Sequence, residues 1–448
     1  MKDTIQTIEY ALSDFSDYTP SAFLVSALHW AEHQGFWQPF NRLLDVAMKT
    51  VVYTPVQKVQ TLIASIMIGC QYNKEINSRL VPDEVAASLL GMARFPDQSQ
   101  TNLLLRRMDE SNLGELEAIH VEHLRQYERF VPSTEWRGYL LVDIDQCGLI
   151  ANGKSYELSR KGYFPRRRGE RGYQMSAAWL GSSNGSGATL GLRLDSGNVH
   201  CAVRFREMVQ LSEERCSTSS IRRRMVYRID GGYGSQPQIR WLLATNRLFI
   251  AKAATTRPQK WADKVAAQQW QRVDQGVRVA VVEAGPYVRA IVCEVTPPTP
   301  GESGERRVEY SVLLTNLPAQ EFDAGALWYL YAGRQTVEAF FKTGRGVYGL
   351  GNLRSRQFHA IYAFLWLVFI THNLLQWVKQ ALFAGTPLVQ IGTRELVERV
   401  GRIPAWRERT TGGWRLHLPA QDALARLFAQ ALCPHSVQLQ LPLRLYET

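Results

Sequence analysis

The feature that most constrains the fold of this chain is a change in hydrophobic periodicity near Tyr139. Before this point, apolar residues recur every three to four positions, as in FLVSALHWAEHQGFW and LGELEAIHVEHLRQY, which is the spacing of amphipathic helices. From Tyr139 onward, the runs YLLVDID, GYQMSAAWLG and ATLGLRLDSGNVHCAV are typical of strands joined by Gly/Ser turns. The pattern therefore predicts an all-α N-terminal domain followed by a mixed α/β domain.

Further changes of pattern divide the chain into four predicted segments. A chain of 448 residues is long enough for several hydrophobic cores. Residues 1–130 are predicted to be helical, and 131–239 together with 319–385 to form the α/β domain, because helical spacing returns at DAGALWYLYAGRQTVEAFFK. Strand-like runs such as VRVAVVEAG and VEYSVLLTNL predict a separate β-rich insertion over 240–318. Residues 386–448 are expected to form a C-terminal helix and a small hairpin.

The charge of the chain favours a polyanionic partner. Lys and Arg exceed Asp and Glu by 52 to 41, and 41 of the 52 basic residues are arginine, which binds phosphate through two parallel hydrogen bonds. Nucleic acid is the commoner such partner. The apolar run AIYAFLWLVFI has only about half of the ~20 residues needed to cross a bilayer, so a buried core helix is expected, with no membrane partner. Because no secretory signal is seen at the N-terminus, a cytoplasmic location is expected.

Acidic residues stand at the ends of predicted elements in the α/β domain. Asp143 and Asp145 lie two residues apart in one strand and therefore point to the same face, and Asp230 ends a second strand before a glycine pair. Glu338 lies in a predicted helix, on one stripe with Tyr331, Arg334, Lys342 and Arg345. Singly, these acids are typical turn formers or surface ion-pair partners. Together they can gather carboxylates around Mg²⁺, a cation that prefers oxygen ligands.

Three further groups are candidates for DNA contact, each with a structural alternative. EVAASLLGM and QSQTNLLLRRM have the rhythm of a helix-turn-helix ending at Arg106 and Arg107, or of an ordinary helical hairpin. A basic run between the first two strands suits backbone phosphates or is a solvated turn; it contains Arg166, Arg167, Arg168 and Arg171. Trp261 and Trp270 stand among basic residues and either stack on an unpaired base or belong to the core of a small sheet.

These residues resemble the DDE transposases of bacterial insertion sequences, especially the group with a Tyr-x2-Arg-x3-Glu-x6-Lys signature. Here that signature reads Tyr331, Arg334, Glu338 and Arg345, with Arg in place of the final Lys and Lys342 as a second candidate for it. YLLVDIDQ resembles the first acidic motif and YRIDGGYGS the second. The family commonly has Thr or Ser two residues after the first Asp, whereas Gln146 and Cys147 follow Asp145. Asp143 and Asp145 thus both remain candidates for the first acid of the family, and Asp145 is favoured.

The resemblance implies a ribonuclease-H-like catalytic domain interrupted by a β insertion. It also implies that two Mg²⁺ or Mn²⁺ ions, held by Asp145 (or Asp143), Asp230 and Glu338, serve in cutting transposon ends and joining them to target DNA. Its members work as multimers, which implies a homodimer in a synaptic complex on double-stranded DNA, in a nucleoid-associated setting. Two alternatives remain open: a non-catalytic DNA-binding regulator, and a ribonuclease-H-like nuclease without strand transfer.

Overall fold

The computed structural model describes residues 17–50, 52–127, 135–162, 164, 167, 169–181, 187–216, 223–296, 308–411 and 413–432. Its N-terminal part is helical after a two-residue strand, β1 (Tyr18–Thr19). Capping side chains define several helix starts: Thr54 and Asp109 each form a capping box, and Asp97 accepts from the backbone N–H of Ser99. The helices are α1 (Ala22–His33), α2 (Gln38–Leu43), α3 (Pro55–Met67), α4 (Lys74–Arg79), α5 (Glu84–Leu89), α6 (Gln98–Arg107) and α7 (Glu110–Gln126).

The two helices expected to form a helix-turn-helix are α5 and α6. Helix α6 packs against α3 and α4, whereas α5 packs against α1. Arg106 and Arg107 lie exposed in the last turn of α6. Recognition of DNA by this helix stays a prediction, and the exposure of both arginines is compatible with it.

One mixed sheet of 11 strands forms the centre of the remaining chain. Its strands are β2 (Glu135–Trp136), β3 (Tyr139–Ile150), β4 (Arg160–Lys161), β5 (Arg171–Leu180), β6 (Ala188–Ser196), β7 (Met225–Ile229), β8 (Leu248–Lys252), β9 (Gln271–Asp274), β10 (Val277–Gly285), β11 (Val288–Val295) and β12 (Glu309–Thr315). Strands β6, β5 and β3 are neighbours and antiparallel. Strands β3, β7 and β8 are neighbours and parallel, and β7 ends opposite the middle of β3, so the end of β7 and the middle of β3 can present side chains to one place.

The strands of the predicted insertion continue this same sheet. Strand β8 pairs with β7 on one side and with β12 on the other, and β11, β10 and β9 follow. The backbone N–H and C=O groups on the side of β8 away from β7 are buried and need hydrogen-bond partners. Strand β12 supplies them. Main-chain hydrogen bonding therefore crosses from the predicted catalytic segment into 240–318, while the division into domains stays a prediction.

The helices that follow β6 in the described part of the chain are α8 (Phe205–Arg215), α9 (Gln236–Ala244), α10 (Gln259–Ala262), α11 (Ala324–Ala332), α12 (Gln335–Gly346), α13 (Phe358–Phe383), α14 (Thr393–Glu398) and α15 (Ala423–Leu432). Helix α8 packs on β3, β5 and β6; α11 packs on β8, β10 and β11; α12 packs on β3. Helix α12 therefore brings its side chains to the strand that carries Asp143 and Asp145.

Helix α13 joins the N-terminal helices to the sheet. It packs against β6 on one side and against α3, α6 and α7 on the other. It is 26 residues long, well beyond the expected apolar run, because polar residues continue it with partners inside the core. Asn373, for example, accepts from the Thr189 N–H at 2.8 Å. Of the helices described, α13 alone is long and apolar enough to cross a membrane, but 83% of its most apolar window is buried inside the fold.

The C-terminal segment returns to the start of the chain. Helix α14 and a hairpin of β13 (Ala405–Thr410) and β14 (Gly413–His417) occupy the region predicted as a helix and hairpin, and α15 follows as an element that the pattern did not predict. Strand β13 pairs with β1, and the rings of Tyr18 and Trp406 lie 5.4 Å apart. The two ends of the described chain are thus held together.

Candidate active site

Two neighbouring strands bring acidic residues side by side. In the parallel pairing of β3 with β7, Ile144 lies opposite Ile229. Asp145 and Asp230 are the next residues along these two neighbouring segments. Neighbouring strands are ~4.8 Å apart. The Asp230 carbonyl accepts from the N–H groups of Tyr233 and Gly234 at 2.9 and 3.0 Å. This turn ends β7 and holds Asp230 at its tip.

Asp143 forms a buried ion pair with Arg228. It has no exposed surface, and Arg228 on β7 donates to it twice, from Nε to Oδ1 and from Nη2 to Oδ2, each at 2.7 Å. Burial raises the pKa of Asp143, and the guanidinium groups of Arg228 and Arg334 oppose that shift. Both carboxylate oxygens are therefore engaged by one arginine.

Two glycines make room for the Arg228 guanidinium. A Cβ at Gly181 would lie 2.6 Å from Arg228 Nη2, and a Cβ at Gly333 would lie 2.7 Å from Nη1. Because Asp143 holds this guanidinium at two points, it cannot easily move aside. Glycine is thus required at both positions by close approach.

Arg334 links Asp145 to Glu338. Its Nη2 lies 2.9 Å from Asp145 Oδ2, in an ion pair without hydrogen-bond alignment, and its Nη1 donates to Glu338 Oε1 at 3.0 Å. The side chain of Arg334 is only 6% exposed, whereas that of Glu338 is 61% exposed. One buried cation is thus shared by two acids from different elements.

The charges around Asp145 also affect its ionisation. Burial raises the pKa of Asp145 to about 6. Arg334 and the Gln146 N–H act to lower it, while the nearby carboxylates of Asp230 and Glu338 act to raise it. Asp230 and Glu338 are therefore close enough to Asp145 for their charges to oppose its ionisation.

The stripe expected on a single helix is divided between two. Helix α11 ends at Ala332 and α12 begins at Gln335, with Gly333 and Arg334 forming the turn between them. The Leu330 carbonyl accepts from Arg228 Nη1 at 2.9 Å, while the Arg334 N–H bonds to Tyr331 O at 3.0 Å. Arg228 therefore binds the Leu330 carbonyl, which would otherwise accept a hydrogen bond from the Arg334 N–H and continue the helix.

The other members of the stripe separate along the two helices. Tyr331 is partly buried beside the acids; burial raises the pKa of its hydroxyl, Arg334 acts against this, and the carboxylates add to it. Lys342 is exposed further along α12. Arg345 Nη2 donates to Cys147 Sγ at 3.0 Å and to Gly148 O at 3.1 Å. Tyr331 and Arg334 thus lie at the acids, and Arg345 lies toward the far end of β3.

Arg228 is the site residue that sequence reasoning missed. Every residue of β7 is buried, and Arg228 is its one charged member. An arginine within the apolar run MVYRI was the available signal, because a buried cation needs an acidic partner.

The donor chemistry at the acids fits a hard divalent cation, which prefers carboxylate oxygens. Among the described residues, however, no three acidic, histidine or cysteine side chains are placed to hold one metal ion. The guanidinium of Arg334 contacts Asp145 and Glu338 and supplies positive charge there. The residue types thus fit a divalent cation, and in this structure the Arg334 guanidinium provides the positive charge beside two of these acids.

The remaining sequence candidates lie in varied settings. Arg166 and Arg168 are outside the described residues; the Arg167 N–H bonds to Phe164 O at 2.9 Å, and Arg171 donates to Ser159 O. Trp261 and Trp270 are both half-buried and each lies near a cation, Lys264 Nζ at 5.1 Å and Arg278 Cζ at 5.4 Å from the ring centroids. Their roles in DNA contact stay predictions.

Comparison with known families identifies the domain that holds this site. The family described as Transposase DDE domain matches residues 136–374, which include strand β3 with Asp145, Asp230 after β7, and helix α12 with Glu338. None of the curated proteins compared with the chain matches it. Because the family match covers more than half of the 448 residues, the chain belongs to the family of DDE transposases.

Proposed function

We propose that this transposase cuts the ends of its transposon and joins them to target DNA at a site formed by Asp145, Asp230 and Glu338. The observation that carries the proposal is that Asp145 on β3 lies beside Asp230, which follows β7, and that Arg334 joins Asp145 to Glu338 on α12, all within the matched domain. The strand order β6-β5-β3-β7-β8, antiparallel and then parallel, supports a ribonuclease-H-like catalytic domain. The charge excess of the chain supports double-stranded DNA as the partner.

Asp145, and not Asp143, is proposed as the first acid. Asp143 is fully buried, and its oxygens are held by Arg228. The side chain of Asp145 is partly exposed, and its pKa is raised to about 6 by burial, with smaller contributions from the charges of Asp230 and Glu338. A carboxylate that must contact DNA-bound ions needs such access.

We propose Mg²⁺ or Mn²⁺ as the cofactor, two ions held by Asp145, Asp230 and Glu338. When bound, such ions would supply a Lewis acid that activates the attacking oxygen and neutralises charge on the leaving oxygen. Arg334 holds Asp145 and Glu338 by its guanidinium, so those carboxylates become free as ligands only when it turns away. A DNA phosphate is a natural acceptor for the released guanidinium, because arginine binds phosphate oxygens through two hydrogen bonds.

The signature residues Tyr331, Arg334, Lys342 and Arg345 are proposed to bind the DNA end. Tyr331 and Arg334 border the acids, and Lys342 and Arg345 continue along α12. A homodimer that pairs two ends, and a location at the bacterial nucleoid, are proposed from the family alone.

A product assay tests the proposal. Labelled end DNA and a supercoiled plasmid are incubated with the protein and Mg²⁺ or Mn²⁺, and cut and joined products are separated. Wild type is expected to give both, and Glu338→Gln neither, because neutralising the acid removes a metal ligand. Glu321→Gln, a change of an acid outside the site, is the matched control and should act like wild type.

Each other outcome identifies an alternative function. Cutting without joining would indicate a nuclease that lacks strand transfer. Binding without cutting by wild type would indicate a DNA-binding regulator. Products from Glu338→Gln equal to those of wild type would refute the assigned site.

A further inference from the structure

A polar cleft lies where the N-terminal helices meet the DDE domain. It consists of two adjoining cavities of 570 and 320 Å³ that share Asn102, Tyr156, Leu353 and Arg354 in their linings. Helix α6 forms one wall, the segment between α12 and α13 a second, and the chain after β3 a third. We call it the junction cleft.

The junction cleft is basic. Arg106, Arg354 and Arg356 line the larger cavity, and no acidic residue is among those described residues that line either cavity. The side chains of Arg106 and Arg356 are exposed, at the end of α6 and in the α12–α13 segment. Asn102 and Asn152 add neutral hydrogen-bond donors. Charge complementarity therefore favours an anion.

Arg354 gives a second, independent indication of an anionic ligand. Its Nη1 donates to Asn73 Oδ1 at 2.8 Å, its Nη2 donates to the Cys70 carbonyl, and its Nε has no hydrogen-bond partner within the described part of the chain. Burial lowers its pKa to about 10, opposed by Cys70 and Glu75. Glu75 is itself paired with Arg79 at 3.2 Å. Arg354 is thus a cation with neutral hydrogen-bond partners at the wall of an open cavity, which an anion would stabilise.

Strand β3 and helix α12 connect this cleft to the acids. Ile150, which lines the smaller cavity, lies five positions beyond Asp145 on β3, a span of ~17 Å for an extended strand. Arg345 lies between them, bonded at Gly148. A DNA strand that enters at the acids can follow this basic path.

We propose that the junction cleft binds a backbone phosphate of the transposon-end duplex, about five base pairs from the cut. The figure follows from a ~17 Å span and a rise of ~3.4 Å per base pair. The inference rests on the proposed function, because it assumes that end DNA occupies the site at Asp145. Arg354 and Arg356 contact the phosphate from the DDE domain, and Arg106 contacts it from α6. The cleft thereby joins end binding by the helical domain to placement of the cut.

The test uses the full-length protein and duplex end DNA in which one phosphate at a time is replaced by a neutral methylphosphonate. Binding is measured over a range of salt concentrations for wild type, Arg106→Ala and Arg356→Ala. Each variant should lower the slope of log Kd against log salt by ~0.9, the value for one phosphate contact, and weaken binding about tenfold at 0.1 M salt. Arg409→Ala, an exposed arginine on the C-terminal hairpin, is the charge-matched control and should leave both unchanged.

The position of the neutral phosphate makes the test specific. In wild type, a methylphosphonate about five base pairs from the cut should weaken binding, and Arg356→Ala should abolish that effect, since the contact is already lost. If wild type binds and cuts but both cleft variants keep its salt slope, the cleft proposal fails alone. If wild type neither binds nor cuts end DNA, the proposed function fails with it.

Discussion

Replacing Asp143 by Asn should lower the stability of the protein rather than remove a group that takes part in DNA cutting. Asparagine offers one carbonyl acceptor and an NH₂ donor, so one of the two 2.7 Å hydrogen bonds from Arg228 would face a donor. Arg228 itself would stay buried as an uncompensated cation, because its surroundings at Gly181 and Gly333 leave it no space to move. Breaking a buried ion pair in this way costs ~3–5 kcal/mol in free energy of unfolding.

Equilibrium unfolding in urea at pH 7.5 measures this loss. Asp145→Asn is the comparison, since burial and two neighbouring acids raise the pKa of Asp145 to about 6, and a neutral side chain should therefore cost little. The double change Asp143→Leu with Arg228→Met should lose less stability than either single change, because no buried charge is left. Asp143→Asn with wild-type stability but no cutting activity would refute this reasoning and make Asp143 the first catalytic acid.

Three further predictions follow from other contacts. Gly181→Ala should destabilise the protein by ~1–3 kcal/mol by overpacking against Arg228, whereas Gly114→Ala, in open space within α7, should stabilise it by ~0.5–1 kcal/mol; similar urea midpoints for the two would contradict the close-approach argument. His123 is buried with its pKa lowered to about 4, so its contribution to stability is complete above an unfolded-state pKa of ~6.5 and is lost as pH falls toward 4. His123→Gln should therefore flatten the acid slope of stability by ~1.4 kcal/mol per pH unit in that window, and an unchanged slope would refute the assignment. Arg334→Gln should bind Mn²⁺ roughly tenfold or more tightly in the absence of DNA, because a competing cation is removed, yet cut end DNA poorly; weaker Mn²⁺ binding, measured by electron paramagnetic resonance, would contradict this.

The family and the alternation of helical and strand-like segments could be predicted from the sequence. Both depend on local pattern: the 3–4 spacing before Tyr139, the short strands after it, and the motifs around Asp145, Asp230 and Glu338. The family match over residues 136–374 confirms the transposase assignment.

Long-range pairing could not be predicted in the same way. Strand β8 bonds to β7 and β12, and β1 bonds to β13 at the other end of the chain, although nothing in their local composition names these partners. The turn at Gly333 and Arg334 was also missed. This turn depends on a hydrogen bond from Arg228, on a strand distant in sequence, to the Leu330 carbonyl. The spacing of apolar residues in the helix gives no information about that bond.

Counting bound Mn²⁺ shows whether Asp145, Asp230 and Glu338 together hold the ions that cut DNA. The ions are counted on the complex of the protein with an uncleavable DNA end, and cutting of ordinary end DNA is followed in parallel. Wild type should hold two ions per active site, and Asp145→Asn, Asp230→Asn and Glu338→Gln should each lose bound Mn²⁺ and cutting together while still binding DNA. Full Mn²⁺ occupancy and normal cutting in any one of these three variants would show that the replaced acid is not a metal ligand.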